Sequence, residues 1–157
     1  MAALPQSGHT HSTAGADLHA TALQRLRADG QRYTSGRRSL VALLEAADRP
    51  LTIADLLERN TSLAQSSAYR NLAVLERAGV VNRLVTNDEF GRFELAEDLT
   101  EHHHHLICSS CGAMADFTIA PRLEDALAQA FAEVASDTGF LAEHHRLDLL
   151  GVCATCR

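Results

Sequence analysis

Apolar residues recur at helical spacing through the first half of the chain, from about residue 17 to residue 78. Leucine, alanine, valine and isoleucine stand three or four positions apart in four successive segments, which predicts four amphipathic helices. Each segment is preceded by a residue that can cap a helix: Asp17, Thr34 or Ser35, Thr52, and Ser66 or Ser67. Each is followed by residues that end a helix: Gly30, Arg49-Pro50, Asn60 and Ala78-Gly79.

The hydrophobic pattern changes to that of β-strands after residue 79. Residues 80–85 and 91–95 predict two strands, and the turn-rich residues 86–89 between them predict the tip of a hairpin. Short helices followed by such a hairpin are typical of a winged helix-turn-helix. We therefore predict a winged-helix DNA-binding domain over residues 17–97, preceded by a disordered tail at residues 1–16, which show no hydrophobic period.

The second half of the chain predicts a smaller α/β unit. Residues 103–107, 113–119 and 145–152 have the pattern of strands, and Pro121 stands where a long helix that ends before Gly139 would begin. A sheet this small leaves an edge uncovered, and pairing with a second copy of the chain would cover it. The predicted fold class is α+β, with residues 98–157 as a metal-binding dimerisation domain.

Composition and charge narrow the possible partners. Hydrophobic residues make up 46% and charged residues 22%, and no apolar run approaches the roughly 20 residues that a membrane helix needs. Because the N-terminus also lacks a secretion signal, we predict a cytoplasmic protein without a membrane partner.

The net charge of −6 argues against nucleic acid as a partner, but the charge is unevenly distributed. Residues 18–95 carry 11 arginines against 9 acidic residues, whereas residues 96–157 carry 3 against 10. The arginines clustered in residues 25–38 fit a solvated helix face or a phosphate-contacting patch.

Two Cys-x-x-Cys pairs predict a closed metal site. Cys108 and Cys111 form the first pair, and Cys153 and Cys156 form the second about 40 residues later. Each pair can place two thiolates on a tight turn, and two such turns complete a tetrahedral S₄ site that leaves no position open for a substrate. The site is therefore predicted to hold structural zinc, rather than to consist of unrelated free thiols or a redox-active pair.

Four consecutive histidines, at positions 102–105, precede the first cysteine pair. Side chains alternate between the two faces of an extended segment, so His103 and His105 would point one way and His102 and His104 the other. We therefore predict two metal sites, the alternative being an exposed run that binds metal adventitiously. Candidate partners near the predicted strands are Glu94, Asp116, Glu124 and His145. A site that includes Glu94 would join the winged helix to the metal-binding unit, so its occupancy could set their relative angle.

Together these residues resemble the ferric uptake regulator (Fur) family of metal-responsive repressors. The resemblance runs from about residue 20 to the end and rests on GQRYT at 30–34 with Arg37-Arg38, SAYRNL at 67–72, AGVV at 78–81, FEL at 93–95, residues 102–112, Asp116-Phe117, His145, and the last cysteine pair. It implies a homodimer that binds a double-stranded, palindromic DNA operator and requires no organic cofactor.

The resemblance also implies roles for individual residues. Ser67, Tyr69 and Arg70 would contact DNA from the recognition helix, and Arg32 would contact the DNA backbone or the minor groove. Glu94, His103 and His105 with Asp116 would form the regulatory metal site. The second site would consist of His102, His104, Glu124 and His145, and the four cysteines would be the structural zinc site.

The predicted function is metal-dependent repression of genes for metal-ion homeostasis. The run of histidines resembles zinc-sensing members, so we favour zinc as the sensed ion over iron(II). An iron- or peroxide-responsive repressor of the same family is the alternative. The chain departs from the family pattern where a hinge histidine is common, because Arg49-Pro50-Leu51 stands there. It also departs from zinc-sensing members of the actinobacterial type, which have an aspartate after the recognition helix and a cysteine in the wing, because Asn82 stands at the first position and the wing has Glu94 and Ala96 but no cysteine.

Two further alternatives lie outside the regulator class. A zinc enzyme is disfavoured because the chain contains neither His-Glu-x-x-His nor the Pro-Cys-x-x-Cys of zinc deaminases. A metal-storage or metal-chaperone module without DNA binding would not require the basic flank of the helix that carries Tyr69 and Arg70. We therefore predict a protein that is not an enzyme.

Overall fold

The computed structural model describes residues 14–85, 90–142 and 145–157, with the side chains of residues 14–16 excepted. The predicted hairpin tip at 86–89 and most of the predicted N-terminal tail lie outside the described residues. The elements are α1 (Ala14–Ala28), α2 (Ser35–Glu45), β1 (Leu51–Thr52), α3 (Ile53–Arg59), α4 (Gln65–Arg77), β2 (Val81–Val85), β3 (Gly91–Leu95), a 3₁₀ turn (Glu97–Leu99), β4 (His104–Cys108), β5 (Met114–Phe117), α5 (Pro121–Thr138) and β6 (Asp148–Gly151).

Two of the predicted helix starts are confirmed by their hydrogen bonds. The Thr34 side chain accepts a hydrogen bond from the Arg37 backbone N–H at the start of α2. At the start of α3, Thr52 and Asp55 form a reciprocal capping box. Both caps satisfy backbone N–H groups that have no partner inside the helix.

Two other helices begin earlier than predicted. The first helix begins at Ala14, so Asp17 lies in its first turn and not at the N-cap, where its charge still favours the positive end of the helix dipole. The fourth begins at Gln65 after Ala64, which makes no side-chain cap, so the prediction of a start at Ser66 or Ser67 was wrong by one or two residues.

The four helices pack with a three-stranded sheet into one hydrophobic core. The sheet order is β1-β3-β2, both pairings are antiparallel, and Leu51 of β1 lies opposite Phe93 of β3. Buried leucines from every helix fill the core, among them Leu26, Leu40, Leu56 and Leu72. The predicted winged helix is therefore present, with β1 as a third strand that the sequence pattern did not reveal.

The second sheet has the order β5-β4-β6. Strand β4 pairs antiparallel with β5 and parallel with β6, and α5 contains no buried residue. Gly139 ends α5 in the left-handed conformation with φ of 71°, as its position in the sequence predicted. The last strand is shorter than the predicted 145–152, because only Asp148–Gly151 pair with β4. The α+β fold class is confirmed.

The 3₁₀ turn links the two parts of the chain. Arg25 of α1 bonds both the Asp98 carboxylate within this turn and the carbonyl of Gly79 after α4. The linker is thus anchored to the helices of the winged helix. None of the helices described is long and apolar enough to cross a membrane.

Candidate metal centres and DNA-binding surface

The four cysteines converge although their two pairs lie about 40 residues apart. The knuckle after β4 holds Cys108 and Cys111, and the turn after β6 holds Cys153 and Cys156; parallel pairing of β4 with β6 brings the two turns side by side. All four sulfurs lie within 4.8 Å of one another, and the Sγ atoms of Cys111 and Cys153 are 3.8 Å apart. A ZnS₄ tetrahedron with arms of about 2.3 Å has edges of about 3.8 Å, the spacing of the Cys111 and Cys153 sulfurs, so the donor set fits zinc.

Backbone N–H groups prepare one of these sulfurs for metal binding. Those of Cys153, Cys111 and Ser110 point at the Cys108 sulfur and lower its pKa to about 6. The Cys153 N–H lies 3.3 Å from that sulfur. Because the thiolate is the form that binds metal, this arrangement favours the ligand state before an ion arrives.

A second group of donors joins the two parts of the chain. Glu94 of β3 receives hydrogen bonds from the Nε2 atoms of His105, at 2.9 Å, and of His103, at 3.4 Å. The His105 side chain is 6% exposed and that of Glu94 14%, so little solvent screens the contact. One carboxylate and two imidazoles from different domains thus face one point, a donor set that suits a divalent transition metal.

The electrostatics of this group show what a metal would replace. Burial raises the pKa of Glu94, but hydrogen bonds from His103 and His105 outweigh burial and lower it to about 2. The hydrogen bond to Glu94 raises the pKa of His103 to about 9 despite burial, and Glu94 likewise raises the pKa of His105. Both shifts favour protonated rings that donate to Glu94, so an incoming ion must displace those protons.

Asp116 lies at the margin of this group. Its Oδ1 is 3.9 Å from Nε2 of His105, beyond hydrogen-bonding distance, and burial raises the pKa of its carboxyl. It belongs to β5, directly opposite His105 in the antiparallel register. Three of the four residues predicted for the regulatory site meet, with Asp116 near enough to serve as a further donor after a small shift.

The other two histidines of the run face a third group. His104 is buried and its Nε2 lies 2.7 Å from Oε1 of Glu124, while Nε2 of His102 lies 3.4 Å from Oε2 of the same carboxylate. His145 joins them with its Nε2 atom 3.7 Å from Glu124, and this buried atom has no hydrogen-bond partner among the residues that the structure describes. A buried imidazole nitrogen without a partner is costly unless it binds something, and a metal ion would bind it. All four residues predicted for the second site lie together.

Two carboxylates that were not predicted as site residues each bond the Nδ1 atom of one histidine, one in each group. Glu97 of the 3₁₀ turn bonds Nδ1 of His102, and Asp148 of β6 bonds Nδ1 of His105 at 3.3 Å. Asp148 follows His145 by three positions in a segment predicted as a strand, but only the parallel register of β6 on β4 places it beside His105. Glu97 follows Glu94 by three positions, and nothing in the sequence pattern marks it as a neighbour of His102.

A cleft of about 380 Å³ lies where the wing meets the metal-binding unit. Its lining includes Asn82 and Arg83 of β2, and Glu94, His103 and His105 of the bridging group. Glu94, His103 and His105 therefore border open space through which an ion can enter.

The residues predicted to contact DNA lie on the surface of the winged helix. Tyr69 is 55% exposed on α4 although it is a large aromatic residue, and Arg70 beside it is exposed. Ser67 is half-buried near the start of the same helix, and Arg32 is exposed before α2. Two of the clustered arginines are held within the fold: Arg25 by the 3₁₀ turn, and Arg37 by Asn71 and by the carbonyl of Arg32.

A winged helix joined to a small α/β unit through shared metal-binding side chains defines a class of metal-responsive DNA-binding proteins. A sequence profile of the Ferric uptake regulator family matches residues 28–150, and the chain belongs to that family. Its members are transcription regulators and not enzymes.

Relatives within the family are named for different functions. The chain is 33% identical over 139 residues to the Peroxide operon regulator of Bacillus subtilis, covering 86% of this chain and 90% of that protein. It is 31% identical over 133 residues to the Ferric uptake regulation protein of Bordetella parapertussis, covering 82% and 91%. The solved structure of the ferric uptake regulator of Vibrio cholerae matches with a TM-score of 0.65 at 25% identity, covering 83% and 98%.

Proposed function

We propose that this chain is a metal-dependent transcriptional repressor that binds operator DNA when the Glu94, His103 and His105 site holds a divalent ion. The observation that carries the proposal is the bridge between the domains. Glu94 extends from the wing strand β3, whereas His103 directly precedes β4 and His105 lies within it. An ion on all three side chains ties the winged helix to the second unit.

The bridge converts metal binding into a change of shape. An ion gains its full set of ligands only when both domains are in the joined arrangement, so it stabilises that arrangement over others. To move a two-state protein from mostly off to mostly on requires differential binding of about 5 kcal/mol, which a shared metal site can supply.

DNA contact is proposed for α4 and the residue before α2. Tyr69 and Arg70 are exposed on α4 and available to the major groove, with Ser67 beside them, and Arg32 is available to a phosphate or the minor groove. In a homodimer, two such helices would meet successive turns of a palindromic operator. We expect Tyr69→Ala and Arg70→Ala each to abolish or strongly weaken operator binding, whereas Arg122→Ala on the exposed surface of α5 does not.

A homodimer is supported by apolar side chains that one chain leaves in water. Leu149 is 51% exposed and Leu150 66% exposed on the edge strand β6, and Phe131 and Val134 are exposed on α5. Pairing of two copies through these surfaces would bury them. The four cysteines, in this proposal, hold zinc with a structural role.

Zinc is the favoured ion at the regulatory site, because imidazole and carboxylate donors suit it and the run of four histidines resembles that of zinc-sensing members. One observation favours the alternative of an iron- or peroxide-responsive repressor: two histidines with one carboxylate are also the donor set of non-haem iron(II). The relative of Bacillus subtilis described above is a Peroxide operon regulator by name.

The test measures binding of the purified dimer to the DNA upstream of its own gene by fluorescence anisotropy, with the cysteine site kept filled. Titrations with Zn²⁺, Mn²⁺ and, without oxygen, Fe²⁺ identify the ion, and hydrogen peroxide after iron loading tests the alternative. We expect Glu94→Ala to require at least tenfold more metal for the same binding, and Glu133→Ala, an exposed carboxylate on α5, to behave like the unsubstituted protein. Equal DNA binding with and without metal, or none under any condition, would overturn the proposal.

A further inference from the structure

His103 and His105 of the Glu94 site differ in the group that their Nδ1 atoms bond. Nδ1 of His103 donates to the backbone carbonyl of Glu101 at 2.9 Å. Nδ1 of His105 instead donates to the side chain of Asp148, whose Oδ1 lies 3.3 Å away. Only the second of these supports carries a charge and comes from a distant part of the chain.

The Asp148 carboxylate is itself fixed in place. Its Oδ2 lies 2.8 Å from Nη2 of Arg146, and its Oδ1 lies 3.1 Å from Nε of the same guanidinium. The parallel register of β6 on β4 sets Asp148 opposite His105, and the His105 N–H donates to the carbonyl of Leu147 at 3.4 Å. Both the backbone and Arg146 therefore hold the carboxylate against the ring.

Such a contact determines what the other ring nitrogen can do. When a carboxylate holds the proton on Nδ1, an incoming ion that displaces the proton of Nε2 finds the lone pair at Nε2, the atom that lies 2.9 Å from Glu94. The negative charge behind the ring also makes Nε2 a stronger donor to a metal. Solvent screens this charge little at the buried ring of His105, which is 6% exposed, although Arg146 pairs with the same carboxylate.

We propose that Asp148 is the positioning residue of the regulatory metal site, setting the tautomer, orientation and donor strength of His105. This inference rests on the proposed function of the Glu94 site. Because Asp148 belongs to the edge strand that is proposed to pair between copies, it also connects the strength of the metal site to the position of that strand.

The test compares Asp148→Asn, Asp148→Ala and Asp148→Glu in the full-length dimer with zinc in the cysteine site. Cobalt(II) is titrated against a competing chelator, and the visible absorption that disappears in Glu94→Ala is assigned to the regulatory site. We expect Asp148→Ala to weaken cobalt binding there by about 10- to 100-fold and to change its spectrum. Asp148→Asn, which keeps an acceptor without the charge, is expected to lose less, and Asp148→Glu to recover most of the affinity.

Two controls separate this role from a structural one. Asp125→Asn removes one exposed carboxylate from α5 and is expected to leave affinity and spectrum unchanged. Circular dichroism and the dimer dissociation constant show whether each Asp148 variant keeps its fold. A folded Asp148→Ala dimer with unchanged cobalt affinity and spectrum would overturn the inference alone. Absence of any Glu94-dependent cobalt signal in the unsubstituted protein would instead overturn the proposed regulatory site and, with it, this inference.

Discussion

The two parts of this chain are stabilised in different ways. The winged helix buries a continuous cluster of leucine, valine and isoleucine side chains, including Leu40, Leu56 and Leu75, which are fully buried. Beyond residue 103, the described side chains that are buried are His104, His105, Cys108 and Met114, and α5 buries none. Three of those four belong to metal-binding groups.

This contrast indicates what each part requires in order to fold. A cluster of buried apolar residues can stabilise the winged helix by itself, because burial of apolar area is the main favourable contribution to folding. A unit with so few buried apolar residues has a smaller core than a small domain usually needs, so we expect it to depend on metal ions or on a second copy for its stability. The following predictions test that division, from the largest expected effect to the smallest.

Loss of the cysteine site should affect the second unit alone. We expect Cys108→Ser, or removal of zinc by a strong chelator, to unfold residues 104–157 and abolish the dimer, because structural zinc sites contribute about 10 kcal/mol or more to folding. Hydrogen exchange measured by mass spectrometry should show lost protection in β4–β6 and α5 and retained protection in α1–α4. If protection survived throughout the second unit in zinc-free protein, the conclusion that this unit depends on its metal site would be wrong.

Truncation of a core side chain in the winged helix should destabilise that part and leave the second unit unchanged. Leu72 is 1% exposed between the helices, so Leu72→Ala should lower the free energy of unfolding of the winged helix by about 2–5 kcal/mol. Urea unfolding followed by circular dichroism measures the loss. Zinc content and dimer affinity should stay unchanged in this variant; a fall in either would show that the two parts are not independent.

Substitution on the exposed edge strand should weaken assembly rather than folding. Leu150 is 66% exposed, so Leu150→Asp should barely alter the unfolding of one chain but weaken the dimer by roughly 2 kcal/mol, about 30-fold in dissociation constant. Analytical ultracentrifugation gives the constant. A dimer as tight as that of the unsubstituted protein would place the interface elsewhere.

The smallest expected effect concerns the capping box of α3. Arg49 and Thr52 lower the pKa of Asp55 to about 2 from its ordinary 3.8 and outweigh the opposing effect of burial. The stabilisation that ionised Asp55 gives to the folded state is therefore present above about pH 4 and is lost as the pH falls through 2. Asp55→Asn should cost about 1 kcal/mol near neutral pH.

When urea unfolding is repeated at lower pH, that difference should begin to shrink below about pH 4, where Asp55 becomes protonated in the unfolded chain, and should vanish below about pH 2, where Asp55 is protonated in the folded protein too. Asp125→Asn, which alters an exposed carboxylate on α5, serves as the control variant. A constant difference at every pH would show that the carboxylate charge is not what stabilises the cap.

The parts that the sequence predicted well are those with a local physical signal. Helical spacing predicted α1–α4, and strand alternation placed His103 and His105 on one face and His102 and His104 on the other, as the ring contacts within each pair show. The Pro121 and Gly139 signals marked both ends of α5.

What the sequence could not predict depends on distant register. Strand β1 has two residues, too few for a period, and it forms only because β3 lies beside it. The support of His105 by Asp148 follows from parallel pairing between segments more than 40 residues apart. Glu97 reaches His102 only because a 3₁₀ turn folds the linker back. The sensed ion likewise depends on donor distances that composition does not encode.

The histidine run has a consequence for how this protein can evolve. Its alternate rings serve opposite clusters, and the same strand ends in Cys108 of the cysteine site. Insertion or deletion of one residue between the run and Cys108 would turn every histidine to the other face relative to the cysteine. Point substitutions can alter one cluster at a time, but a change of length would disrupt several together. The length of this segment is therefore under tighter constraint than the identity of any one ligand in it.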